Sequence, residues 1–171
     1  MKIILIGYMA SGKTFVANRL SKRTGIKHID LDAYIEEKEN LKIAEIFSKK
    51  GEIQFRLLEN IYLNEILNSK EDLILSVGGG TPCYANNMDL ILKNSNSFYL
   101  KTSIDTIYHR IIKEKNKRPL IAEIPNAKLK EFIAKHLFER SSFYNKAHCI
   151  VDVNDKSIEI IINEILLQIS N

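Results

Sequence analysis

Apolar residues fall along this chain in two alternating rhythms. KIILI (2–6), LILSV (73–77), SFYL (97–100) and HCIVDV (148–153) are short runs, and KHID (27–30) is a weaker one. Runs of this length read as strands, and near-continuous apolar character is what a parallel strand buried on both faces requires. The segments between them carry helical spacing. TFVANRLSKRT follows the first run, and a helix continues after KHID to about Glu39. IAEIFSKK precedes Gly51, and in EIQFRLLENIYLNEIL the residues Phe55, Leu58, Tyr62 and Ile66 line one face. Further helices are predicted around 84–94, over SIDTIYHRIIKEK with Ser103 as its cap, over about 127–145, and over SIEIIINEILLQI. Strands alternating with helices predict an α/β fold, a three-layer α/β/α arrangement around a central five-stranded parallel sheet. In such folds ligands bind beyond the carboxyl ends of the strands, so unusual residues at those ends are where chemistry is expected.

Composition narrows the picture. At 171 residues and 45% apolar content the chain reads as one domain with a real core. Lys and Arg number 25 against 21 acids, a formal charge of +4, which suits a small anionic ligand and does not by itself argue for nucleic acid. Cys83 and Cys149 lack metal-ligand spacing and read as free thiols. The apolar start MKIILI flows into a glycine-bearing loop and not into a cleavage site, and no run reaches the length of a membrane span. The expectation is a cytoplasmic protein with no membrane or nucleic-acid partner, and a monomer because no large exposed apolar face is evident.

The loop after the first run is GYMASGKT, Gly7 to Thr14. It fits G-x-x-x-x-G-K-[ST] between a strand and a helix, the context a phosphate loop needs. Gly7 and Gly12 let backbone N–H groups wrap a phosphate, and the helix N-terminus adds favourable partial charge. Lys13 is placed for the β- and γ-phosphates, and the Thr14 hydroxyl for Mg²⁺.

Residues at the ends of the other strands separate the functions such a loop serves. After the third run stands VGGGTP, with three of the chain's seven glycines, where a GTPase switch would carry D-x-x-G. VNDKS after the fifth run does not supply N-K-x-D, and LILSV ends without the acid expected of a motor ATPase. Acids do stand in HIDLDAY, as Asp30 and Asp32. Beside a triphosphate one could hold Mg²⁺ through water and the other could accept a hydroxyl proton. Spacing is equally consistent with Asp32 capping the next helix.

The phosphate loop (7–14), D-L-D (30–32) and G-E-x-x-F-R-x-x-E (Gly51, Glu52, Phe55, Arg56, Glu59) are followed in order by G-G-G-T-P (78–82), R-P-L (118–120) and R-x-x-x-Y (Arg140, Tyr144). Together they resemble the shikimate kinases, small enzymes with a nucleoside-monophosphate-kinase-like fold. The resemblance implies transfer of the γ-phosphoryl of MgATP to the 3-hydroxyl of shikimate, on the route to aromatic amino acids. It implies that Arg56 and Arg140 bind the acceptor's carboxylate, that Asp32 binds acceptor hydroxyls and takes the proton, and that Asp30 acts on Mg²⁺ through water. Helices over about 31–68 become the acceptor-binding part. The stretch 112–125 becomes a mobile lid bringing Arg118 over the phosphates. Gly7, Ala10, Ser11, Gly12, Lys13, Thr14 and Phe15 become nucleotide contacts, with Arg110 and Asn154 toward the adenine. Gly78, Gly79 and Gly80 bring backbone against the acceptor ring, with Gly79 and Gly80 in direct contact, and Phe47 and Phe55 either wall it or pack as core. Ala10 stands where a further glycine is frequent and Phe15 where a small or hydroxyl residue is usual. A kinase for gluconate or a nucleotide, or a non-catalytic nucleotide switch, are the competing readings. The switch leaves Asp32, Arg56 and Arg140 without a use.

Overall fold

The computed structural model describes residues 1–114, 121 and 124–170. Its elements run β1 (Lys2–Ile6), α1 (Lys13–Thr24), β2 (Lys27–Asp30), α2 (Leu31–Glu39), α3 (Ile43–Asn68), β3 (Leu73–Ser76), a 3-10 turn (Thr81–Cys83), α4 (Asn87–Asn94), β4 (Asn96–Lys101), α5 (Ile104–Glu114), α6 (Asn126–Tyr144), β5 (Cys149–Asp152) and α7 (Ile158–Ser170). The five strands form one parallel sheet in the order β2-β3-β1-β4-β5.

Alternation along the strands builds the layers. Ile4, Ile6, Leu73, Leu75 and Tyr99 point to one face, where they pack with α2 to α6. Ile3, Leu5, Ile74, Phe98 and Leu100 point to the other, against α1 and α7. Each buried Leu or Ile side chain contributes about 1.5–3 kcal/mol. The sheet is thus covered on both sides, as continuous apolar strands require.

Three local features position the site. Register pairs Leu5 with Ser76 and Ser76 with Asp30, so the chain leaves β1, β3 and β2 side by side at one edge. The cap of α2 is Asp30, whose Oδ1 accepts from the Ala33 amide at 3.3 Å; Asp32 lies inside the first turn and does not cap it. Gly51 interrupts α3 with φ 80° and ψ 170°, a conformation open to glycine, so the two stretches read from sequence meet at a break. Beyond the break, Ile53, Leu57 and Ile61 lie 75%, 42% and 54% exposed along one side of α3, an apolar stripe that sequence reading did not anticipate. Among the described residues no helix is long and apolar enough to cross a membrane.

Candidate active site

The carboxyl ends of β1, β2 and β3 open into a cleft of about 830 Å³. The phosphate loop forms one wall. Gly7 and Gly12 have φ of +151° and +98°, the range that favours glycine, and Ala10 joins them at +61°. The first hydrogen bond of α1 runs from the Val16 amide to the Gly12 carbonyl at 2.9 Å, so the amides of the first turn have no intrahelical acceptor and face the cleft. Lys13 Nζ donates to the carbonyls of Gly7 and Tyr8, each at 2.9 Å, which folds the ammonium back over the loop. Ser11 is buried, and its Oγ finds no partner among the described residues. Phe15 is 55% exposed, borders the cleft and packs under the Arg19 guanidinium at 5.5 Å, so it does not enter the core.

Asp32, Gly78 and Gly79 line the same cleft, and side chains use the missing Cβ atoms of Gly78, Gly79 and Gly80. A Cβ on Gly78 would lie 2.9 Å from Glu59 Oε1 and 3.4 Å from Asp32 Oδ1. One on Gly79 would lie 3.3 Å from the Met9 amide and 3.4 Å from Arg140 Nη1, and one on Gly80 only 2.6 Å from Arg56 Nη1. Asp32, Arg56 and Arg140 therefore converge on one loop from α2, α3 and α6. Arg56 is held from behind: Nη1 donates to Glu59 Oε2 at 2.6 Å and Nη2 to Glu52 Oε1 at 3.3 Å. Glu59 is fully buried, and its other oxygen accepts from the Thr81 hydroxyl. The Arg140 guanidinium stands over the Tyr8 ring at 5.5 Å, a cation–π contact between α6 and the phosphate loop. One turn on, the buried Tyr144 hydroxyl donates to the Gly79 carbonyl at 2.5 Å and lies within hydrogen-bonding reach of Arg140.

Asp32 is the most perturbed acid of the cleft. Burial first, then the neighbouring Glu59 and Asp30 carboxylates, push it up from an ordinary 3.8 to about 6, with Lys13 and Arg56 pulling the other way. Its Oδ1 is buried with no partner among the described residues. A carboxylate so placed is short of a donor and is a competent acceptor for a hydroxyl proton near neutrality. Asp30 differs: Oδ2 accepts from Thr14 at 3.0 Å and from Ser76 at 2.8 Å, and Oδ1 caps α2.

The remaining expected residues divide. Arg110 borders the cleft and donates to the Ala10 carbonyl at 3.0 Å. Asn154 is occupied in a turn, its Oδ1 accepting from the Ser103 amide at 2.9 Å and its Nδ2 donating to Asp152 at 2.8 Å. Phe55 is core, 4% exposed, and meets the half-buried Phe47 ring at 4.7 Å. Arg118 and most of the 112–125 stretch lie outside the described residues. The resemblance puts segment 153–156 on the adenine side, and its Val153 and Lys156 line the cleft; sequence reasoning did not find Ile158, which lines it too, nor Tyr144 as a partner of the glycine loop. Val153 and Lys156 sit in the turn after β5 and Ile158 opens α7, so position beyond a strand end was the available signal.

The family model described as shikimate kinase matches residues 9–170. The chain belongs to the shikimate kinase family. A shikimate kinase of Flavobacterium johnsoniae is 51% identical over 166 residues, 96% of each chain. Among solved structures, a shikimate kinase from Bacteroides thetaiotaomicron superposes with a TM-score of 0.93 at 30% identity, covering 100% of this chain and 99% of the other. A shikimate kinase from Acinetobacter baumannii, solved in complex with shikimate, gives 0.89 at 30% identity, with 99% and 92% coverage. The family includes nucleotide-using phosphotransferases, and a phosphate loop facing an acid and two arginines is a cleft suited to that chemistry.

Proposed function

We propose that this chain transfers the γ-phosphoryl group of ATP to the 3-hydroxyl of shikimate, giving ADP and shikimate 3-phosphate. The observation that supports the reading is the convergence of Asp32, Arg56 and Arg140 on Gly78–Gly80, directly beside the phosphate loop. Two guanidiniums suit bidentate binding of a ring carboxylate, and Asp32 then receives the hydroxyls at the opposite side of the ring. Lys13 leaves the Gly7 and Tyr8 carbonyls for the transferring phosphate, and amides of the first turn of α1 cradle the rest. Asp32 takes the hydroxyl proton as the new P–O bond forms and the bond to the ADP oxygen breaks.

Thr14 Oγ1 and Asp30 Oδ2 face each other at 3.0 Å, a hydroxyl and a carboxylate that suit a hard cation. Among the described residues no cluster of three His, Cys, Asp or Glu could hold a metal, which fits a Mg²⁺ held largely by phosphate oxygens and water. Thr14 would bind it directly and Asp30 through water. When bound, Mg²⁺ offsets charge on the phosphates. Assignment of Arg118 to the transferring group, of 31–68 to the acceptor part and of 112–125 to a lid rests on sequence resemblance. The proposal extends to cytoplasmic work as a monomer.

The test is coupled ADP release with shikimate, gluconate and nucleoside monophosphates as acceptors. Turnover with shikimate alone is expected. Turnover only with another acceptor, or nucleotide binding without acceptor-dependent turnover, overturns the reading.

A further inference from the structure

Behind Asp30 runs a chain of side chains that the proposed chemistry does not use. His28 and Asp30 stand two residues apart on β2, and register sets Ser76 of β3 beside Asp30. His28 Nε2 lies 3.0 Å from Ser76 Oγ, and Ser76 Oγ lies 2.8 Å from Asp30 Oδ2. On its other side, His28 Nδ1 lies 2.9 Å from Asn18 Oδ1 of α1. Ser76 is 2% exposed, so its hydroxyl is satisfied by these neighbours and not by bulk water.

The direction of this chain is set by the donors each group has. A carboxylate only accepts, so the single Ser76 proton points to Asp30. The Ser76 oxygen then has lone pairs toward His28, and Nε2 must carry a proton to donate to it. A neutral ring satisfies this with the Asn18 amide nitrogen donating to a bare Nδ1; with the amide oxygen there instead, Nδ1 carries a second proton and the ring is cationic. Without His28 the Ser76 hydroxyl loses the donor that fixes its rotor, and Asp30 Oδ2 loses the orientation imposed from the sheet side. Thr14 alone would then define that oxygen from the cleft side.

We propose that His28 is a positioning residue for Asp30, acting through the hydroxyl of Ser76, and that the hold of this chain on its divalent cation depends on it. The inference rests on the reading that Asp30 faces the cation. A ligand's partner in the next layer sets the ligand's orientation, and its removal costs about tenfold or more in metal affinity.

The test measures ADP affinity by isothermal titration calorimetry with and without Mg²⁺, beside the Mg²⁺ concentration for half-maximal turnover and the shikimate KM. His28→Phe keeps a ring and removes the donor; Ser76→Ala removes the relay. Each is expected to reduce the Mg²⁺-dependent gain in ADP affinity by about tenfold. ADP affinity without Mg²⁺ and shikimate KM should stay near wild type. The double variant should be no worse than either single one, since the two residues act in series. His28→Gln, which restores a donor, should recover much of the gain and guards against a folding defect in the Phe variant. An unchanged Mg²⁺ gain in both single variants, additive losses in the double variant, or an equal rise in shikimate KM overturns the proposal. Asp30→Asn separates the two layers of inference. Loss of the gain there with retention in His28→Phe removes only His28, whereas retention in Asp30→Asn removes the cation reading of Asp30 and the His28 proposal together.

Discussion

The loops after β1 and β3 leave neighbouring strands and lie side by side at the cleft, yet glycine serves them differently. In GYMASGKT, Gly7 and Gly12 supply backbone angles, at φ +151° and +98°, and the binding groups are main-chain amides. In VGGGTP none of the three glycines has positive φ. There they supply space, and the groups that occupy it are side chains from three helices. The first wall is a shaped piece of backbone; the second is a set of charges brought from far along the chain and braced from behind. The nucleotide side therefore depends on local conformation, and the acceptor side on long-range packing.

Lys13→Ala tests the backbone wall most severely. Phosphoryl transfer should fall about 10³-fold or more, because charge on the transferring group loses its nearest cation. Circular dichroism should show the fold retained.

On the acceptor wall, Arg56→Ala should raise shikimate KM roughly ten- to a hundredfold through loss of a charge-assisted contact, with little change in ATP KM. It also strips the buried Glu59 of its cation, so a chemical melt should show destabilisation of up to about 3 kcal/mol. Gly80→Ala tests the same wall through space alone. Its Cβ would meet Arg56 at 2.6 Å and should raise shikimate KM about tenfold by displacing the guanidinium. Gly12→Ala, strained at φ +98°, should act on ATP KM instead. Equal effects of both glycine variants on both substrates would break the contrast.

Asp32 gives a pH signature. With its carboxyl at about 6, kcat/KM should fall as pH drops through 6, since the proton acceptor is then filled. Stability moves the opposite way. The folded group binds protons more tightly than the unfolded one, so stability through Asp32 declines as pH rises from about 4 to 6 and the penalty persists above. Asp32→Asn should abolish most activity yet raise stability at pH 7.5 by about 1–3 kcal/mol, with no gain at pH 4. Differential scanning calorimetry at the two pH values checks the sign.

The smallest effect belongs to Ala10. Its φ of +61° is costly for a residue with a Cβ, and Ala10→Gly should relieve about 0.5 kcal/mol, one or two degrees in Tm.

Legibility in the sequence divides along the same line. The five strands, the helices and the phosphate loop are local patterns, and they stand within a few residues of where periodicity put them. Asp30 and Asp32 were visible as a pair, but their division of labour came only from the resemblance and not from their spacing. Capping, the Thr14 and Ser76 bonds and the burial of Asp32 Oδ1 are set by folding. The glycines were legible as a close-approach site but not by what they approach. Arg56, Arg140 and Glu59 reach them only in three dimensions. Tyr144 is 65 residues from the Gly79 carbonyl it bonds, and no local pattern links them. The monomer expectation rested on the lack of an exposed apolar face, and the stripe at Ile53, Leu57 and Ile61 shows how a helix can hide such a face in its period.

Gly51 divides α3 into lengths that differ in what they can sustain alone. Residues 43–50 are fewer than the about 12–15 an isolated helix needs in water, whereas 52–68 exceed that. Arg56 and Glu59 ride on the self-sufficient length. The preceding length is helical on the strength of the Lys42 amide donating to Glu45 Oε2 at 3.0 Å, the buried Ile46 and the Phe47 ring against Phe55. The acceptor wall is thus joined to a segment that can come undone by itself: amides of 43–50 should exchange with solvent well before the charges behind the glycines lose their places.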